Sequence, residues 1–150
     1  MRFERTIGGV VGNVNEAGRC AMSSALNYMR LYADGAGESH FKPAVIETFT
    51  REFAPPAPAF NVSSFIPALR SGFLLLPAGW IGELHPSPLR MWIFVLRGEM
   101  EFEASDGECQ PVRTGDVLLL EDTTGRGHRS RVIGDTAARL AVVELEPERA

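Results

Sequence analysis

The feature that most constrains this chain is the spacing of its turn signals. From Ser64 onward, Gly, Pro and Asp punctuate short apolar runs roughly every 8–12 residues, the pattern of an all-β sandwich or barrel. "GFLLLPAGW" reads as a strand and a turn, and "MWIFVLRGEMEFEASDGE" reads as a hairpin with Arg97-Gly98-Glu99 at its tip. Met100, Phe102 and Ala104 alternate with Glu101 and Glu103, which predicts a half-buried strand with the glutamates outside. Asp106-Gly107 signals a further tight turn. "VLLLE", "HRSRVIG" and "RLAVVELE" complete the series, and nothing in it requires a parallel sheet.

Residues 1–60 have a different texture. "NEAGRCAMSSALNYMRLY" has two readings. One is a short helix capped by Asn15, with Ala21, Ala25, Tyr28 and Tyr32 on one stripe; the other is a loosely ordered extension. "FAPPAPAFN" is proline-rich and reads as an extended connector, incompatible with a helix or a central strand. The expectation is an N-terminal arm over 1–60 and a β-barrel over 61–150, together one domain, as suits 150 residues. The net charge of −4 disfavours nucleic acid and anionic membranes as partners. No apolar run approaches the roughly 18 residues of a membrane span, and the N-terminus lacks the apolar stretch of a signal peptide. Cys20 and Cys109 are too few for a disulfide framework, so two reduced thiols and a cytoplasmic location are expected.

"GELHPSPLRMWIFVL" sets His85 at the point where the chain turns apolar. Gly79 precedes it with five residues between, and Gly98 closes the segment. Gly115-Asp116 then opens a second segment that reaches His128 through the loop "EDTTGRG". The run Pro77 to Val132 thereby resembles the cupin superfamily, whose two motifs pair glycines with metal-binding histidines. The departures are specific: Ser87 stands at the family's second histidine, Met91 at its glutamate, and Glu121 and Thr123 at the proline and glycine of the second motif. His85 and His128 alone carry over from the usual ligand set.

The resemblance implies an all-β, double-stranded β-helix (jelly-roll) barrel with Met91, Ile93, Val95, Phe73, Leu75, Met100 and Phe102 lining its interior. Of these, Met91, Ile93, Phe73, Met100 and Phe102 are expected to contact a small-molecule substrate. Glu83 lies two residues before His85 and shares its strand face. Glu83, His85 and His128 are therefore the candidate catalytic residues, and also a two-histidine, one-carboxylate set suited to a divalent metal such as iron, zinc, nickel or manganese. The cofactor is either such a metal or none. The leading expectation is acid/base chemistry, an isomerase, dehydratase or cyclase of a carbonyl-containing metabolite such as those of specialised metabolism, with His85 and His128 as acid and base. The alternatives are a metal-dependent dioxygenase and a non-enzymatic ligand-binding cupin. Glu121 and Asp122 either contribute to the site or cap the turn before His128. Arg129 and Arg131 share a strand face and are available to glutamates of a second subunit, while His40 has no evident partner. Trp92, Phe94 and Leu96 face away from the barrel, so coverage by the arm or by a second copy in a homodimer is expected.

Overall fold

Period-two alternation along these segments assigns each residue to an inner or outer face, and the computed structural model, which describes residues 24–149, follows it closely. The described residues form strands and connecting turns, with no helix. The strands are β1 (Ala25–Ala33), β2 (Ser39–Arg51), β3 (Phe60–Ser63), β4 (Arg70–Leu76), β5 (Met91–Arg97), β6 (Glu99–Ala104), β7 (Cys109–Arg113), β8 (Val117–Glu121), β9 (His128–Ile133) and β10 (Ala138–Glu144). They make a seven-stranded sheet, ordered β3-β2-β1-β8-β5-β10-β4, facing a three-stranded sheet, β7-β6-β9. Two facing, mainly antiparallel sheets closed around one core are the expected jelly roll.

The core lies between the sheets. Leu31, Ile93, Val95, Met100, Phe102, Leu118, Leu120 and Leu140 are all buried in a single cluster, with Phe41 packed against it. Met100 and Phe102 point inward as expected, while Glu101 and Glu103 sit half-buried on the other face of β6. There they meet Arg131 and Arg129 of the same chain, at 2.9 and 3.7 Å. The two arginines thus find their glutamates without a second subunit.

Four expectations need correction. The Gly98 turn is no hairpin tip: β5 and β6 lie in different sheets, and Gly98, at φ 82°, carries the chain from one to the other. The stripe expected to be helical through Tyr28 and Tyr32 is strand from Ala25 onward, and its residues 15–23 lie outside the described residues. Here β1 and β2, drawn from the segment expected to be an arm, are integral to the larger sheet, where β1 makes a parallel pair with β8. Parallel pairing arises because the barrel wraps β1 beside a strand from the far end of the sequence. Finally, Phe73 and Leu75 point outward, 75% and 74% exposed, because β4 presents its opposite face to the core and packs Leu76 there.

On the outer face of the large sheet, Trp92 is covered within the chain by Leu119, Leu145 and Tyr28, the last in edge-on ring contact at 4.9 Å. Glu121 shares this outer face. Its buried carboxylate sits between Arg30 and Arg90 at 2.7 and 2.9 Å, which raises the Arg30 guanidinium further above its ordinary range, mainly through the hydrogen bond. Glu121 therefore does not contribute to the barrel interior.

Loop closure depends on glycines, Gly127 above all. Gly127 adopts φ 78°, and a Cβ there would fall 2.0 Å from the His85 carbonyl oxygen. Gly134 has a similar φ of 77° but open space around it. Gly134→Ala is expected to cost about 1–2 kcal/mol, the backbone term alone. Gly127→Ala must also break the hydrogen bonds across the bridge it closes, for a total of roughly 3 kcal/mol or more. Urea denaturation of the two variants measures the difference.

Candidate functional site

The segment 81–85 runs antiparallel to β9 without becoming a full strand. It makes isolated bridges at Ile81–Arg131 and His85–His128. Each histidine donates its backbone N–H to the other's carbonyl, both at 2.9 Å. Residues directly opposite in such a pair project to the same side. The two imidazoles accordingly stand 5.1 Å apart between centroids, with their planes at 49°.

Each ring is held by its Nδ1. In His85, Nδ1 lies 2.7 Å from the Glu83 carbonyl oxygen. A carbonyl only accepts, so this nitrogen carries the hydrogen and Nε2 is left as the reactive one. In His128, Nδ1 lies 2.6 Å from Asp122 Oδ2. The two rings differ in environment: His85 is exposed, whereas His128 is 3% exposed and has Phe102 5.6 Å away, ring to ring.

Asp122 is fully buried. It continues the inward parity of Leu118 and Leu120 one step past the end of β8, which aims its carboxylate at His128. Its Oδ1 has no hydrogen-bond partner among the described residues. A desolvated carboxylate with one oxygen satisfied only by an imidazole is a costly arrangement. It is the residue beside the histidines that sequence reasoning undervalued, and the signal available was that parity. Ser87, at the place of the second histidine, is 2% exposed and structural: its hydroxyl donates to Leu89 O at 2.7 Å and its N–H to Asp122 O at 2.9 Å.

Glu83 is exposed and meets His85 through its backbone carbonyl. Among the described residues no three His, Cys, Asp or Glu side chains converge as a metal site would require. Two imidazoles with no third protein ligand beside them among the described residues do not fit the divalent ion that the cupin resemblance implies. Met91, Ile93, Met100 and Phe102, expected to touch substrate, are all in the close-packed core, and Phe73 is outside it. Two surface depressions are evident. One, of about 430 Å³, lies at the far end of β9 by Gly98 and Gly134; the other, of about 40 Å³, is lined by Ile81 and Arg131, and neither is lined by a histidine. A ligand of the two imidazoles therefore meets them at the barrel mouth, over the exposed His85.

The mouth is braced by polar side chains from three turns. Ser39, fully buried, donates its hydroxyl to Gly127 O at 2.6 Å and its N–H to Ser105 Oγ at 2.8 Å. Beside it, His40 bridges Asp34 and Asp106, at 2.7 and 2.8 Å, so this histidine is not partnerless. The hydrogen bond to Asp34, then that to Asp106, raises the His40 pKa above its ordinary 6.5. The Asp34 pKa falls below 3.8, chiefly through the same bond to His40.

Residues 72–144 match a family model described as a cupin domain. None of the curated proteins matches the sequence. Among solved structures, the chain is similar to the cupin domain of Schizosaccharomyces pombe Cnp3, at 16% identity and a TM-score of 0.41, covering 83% of this chain and 86% of that one. It is also similar to an RmlC-like cupin protein from Desulfovibrio desulfuricans, at 20% identity and a TM-score of 0.38, covering 94% and 100%. A third, an RmlC-like cupin from Shewanella frigidimarina, shows 15% identity and a TM-score of 0.40, covering 79% and 85%.

Two outcomes are expected. His85→Ala, at an exposed position, leaves the urea midpoint almost unchanged, whereas His128→Ala strands the Asp122 carboxylate and costs about 3–5 kcal/mol. The His40 contribution to stability is complete below pH 6.5 and is lost as pH rises through the elevated folded value. The Asp34 contribution is present above pH 3.8 and is lost as pH falls through the depressed one. Thermal melts from pH 3 to 9 should show both losses in the wild type; in His40→Ala the alkaline-side loss disappears and the acid-side loss is reduced, since the Glu38 and Ala36 N–H groups still bind Asp34.

Proposed function

We propose, from the premise that this chain belongs to the cupin superfamily, that it is a metal-independent acid/base enzyme acting on a small carbonyl compound at the barrel mouth. The observation that supports this reading is the Asp122–His128 hydrogen bond of 2.6 Å, opposite a second imidazole 5.1 Å away. Asp122 holds the hydrogen on His128 Nδ1 and directs Nε2 outward as a base. It also offsets the positive charge that His128 gains on taking a proton.

In an isomerisation, His128 Nε2 removes a proton from the carbon next to the carbonyl. The electron pair moves onto the carbonyl oxygen, which takes a proton from the Nε2 of a protonated His85. This leaves an enol, a protonated His128 and a neutral His85. On an α-hydroxy carbonyl compound this enol is an enediol; return of the His128 proton to the former carbonyl carbon, while the original hydroxyl gives its proton to His85 and becomes the new carbonyl, restores both residues and completes the shift. The close-packed interior limits the ligand to one that reacts at the mouth rather than within the barrel. Asp122 does not touch the reacting atoms; it positions His128.

A panel of simple carbonyl compounds tests the reading. Small aldehydes, ketones and keto acids are incubated with the protein in D2O, and loss of the proton next to the carbonyl is followed by NMR. The wild type should exchange at least one compound, with His85→Ala slower by about 10²–10⁴-fold and Asp122→Asn slower by about 10–100-fold. Binding without exchange would identify a ligand-binding module instead. Exchange that persists in His85→Ala would remove that residue from the chemistry.

A further inference from the structure

We infer that the proton on His40 latches the barrel mouth, so that its loss loosens the contact of the β8–β9 loop with His85. The inference concerns regulation of the histidine pair and rests on reading that pair as the site. His40, the second residue of β2, holds a carboxylate on each ring nitrogen: Asp34 on Nε2 at 2.7 Å and Asp106 on Nδ1 at 2.8 Å. A carboxylate only accepts, so both nitrogens must carry hydrogen, and the ring that satisfies both links is the imidazolium. A neutral imidazole has one N–H, and its other nitrogen turns a lone pair toward a carboxylate.

The two links differ in reach. Asp34 lies six residues away in the β1–β2 turn, where its Oδ1 also accepts from the N–H groups of Ala36 and Glu38. Asp106 belongs to the β6–β7 turn, 66 residues away, so its bond to Nδ1 ties one turn to another. A neutral His40 that keeps the local bond releases the distant one. Asp106 adjoins Ser105, whose N–H bonds Ser39 Oγ at 2.6 Å and whose Oγ accepts the Ser39 N–H at 2.8 Å. Ser39 Oγ in turn donates to Gly127 O at 2.6 Å. The chain of bonds thus runs from His40 to the glycine whose backbone packs against that of His85.

Charge around the latch acts in the same direction. Asp34 and Glu38 come from the β1–β2 turn, Asp106 from the β6–β7 turn and Arg126 from the β8–β9 loop, with Arg126 paired to Glu38 at 3.0 Å. The Tyr32 ring of β1 lies 5.8 Å from that of His40, and Lys42 follows two residues on along β2. Loss of the proton strips Asp34 and Asp106 of the only cation paired to them among the described residues, and the two turns then repel. The β8–β9 loop keeps the bond from Arg126 N–H to Gly37 O, so the mouth loosens while the sheets stay folded. The bond to Asp34, then that to Asp106, raises the His40 pKa. The latch is therefore closed below pH 6.5 and opens as pH rises through the elevated value.

Native-state amide exchange, followed by NMR alongside the His40 ring resonances from about pH 5 to 9, tests the latch with a readout that needs no substrate. Corrected for intrinsic exchange, protection of the paired His85 and His128 N–H groups should fall about 10–100-fold as His40 titrates, the range for losing one charged hydrogen bond. The bonded N–H groups of Gly115 and Asp116, in the β7–β8 turn at the opposite end of the barrel, should keep theirs. Asp106→Asn weakens one of the two bonds to the ring, so the His40 titration and the loss of protection should move together to lower pH. His40→Ala should show the lower protection at every pH, with no step; should it fail to fold, the Asp106→Asn shift decides. A wild type without a step overturns the inference, as does a step that stays in place in Asp106→Asn or persists in His40→Ala. Equal loss at Gly115 and Asp116 would make His40 a prop of the whole fold, which also overturns it. A step that behaves as expected in a protein that exchanges no carbonyl compound would leave the latch standing and remove the catalytic reading.

Discussion

The approach of the Gly127 backbone to the His85–Pro86 peptide is the contact on which the site depends. It permits the paired hydrogen bonds between His85 and His128, which place two imidazoles on one face although 42 residues separate them in sequence. A side chain at position 127 would hold the two segments apart and rotate the rings away from each other. The same loop is gripped from the other side, where Ser39 binds the Gly127 carbonyl and Gly125 lies against Gly37. The mouth is therefore assembled from turns that share hydrogen bonds, and its geometry is set by backbone contacts before any side-chain chemistry is considered.

Two carboxylates adjacent in sequence end up in opposite settings. Glu121 faces the outside of the large sheet, where two arginines satisfy it fully. Asp122 faces inward and has one imidazole. Strand alternation alone separates them, and the energetic consequence is large: the first is a closed structural triad, the second a buried group with unused hydrogen-bonding capacity.

The sequence made the jelly roll legible because alternation and turn residues are local signals. Met100, Phe102 and Ala104 could be placed inside from their parity alone. The convergence of His85 and His128 was also anticipated, through glycine spacing shared with a known family. What local signals could not reveal was which sheet a strand joins. Gly98 looks like a hairpin tip because a positive-φ glycine between two apolar strands has the same signature whether the chain folds back or crosses over. Phe73 and Leu75 were misplaced for a related reason, since parity fixes which residues share a face but not which face meets the core. The filled barrel was likewise invisible, because apolar residues that line a cavity and those that fill it look alike in sequence.

The position of β10 has a consequence for how the molecule comes into being. This last strand lies between β5 and β4 in the large sheet, and β4 has no other strand partner among the described residues. During synthesis, β4 and its run of exposed leucines emerge more than sixty residues before the strand that will receive them. The sheet cannot be completed from its N-terminal portion, so closure is a late event governed by long-range pairing. Until it happens, the nascent chain carries an unmatched apolar ribbon, which makes the interval before residues 138–144 appear its time of greatest exposure to misassembly.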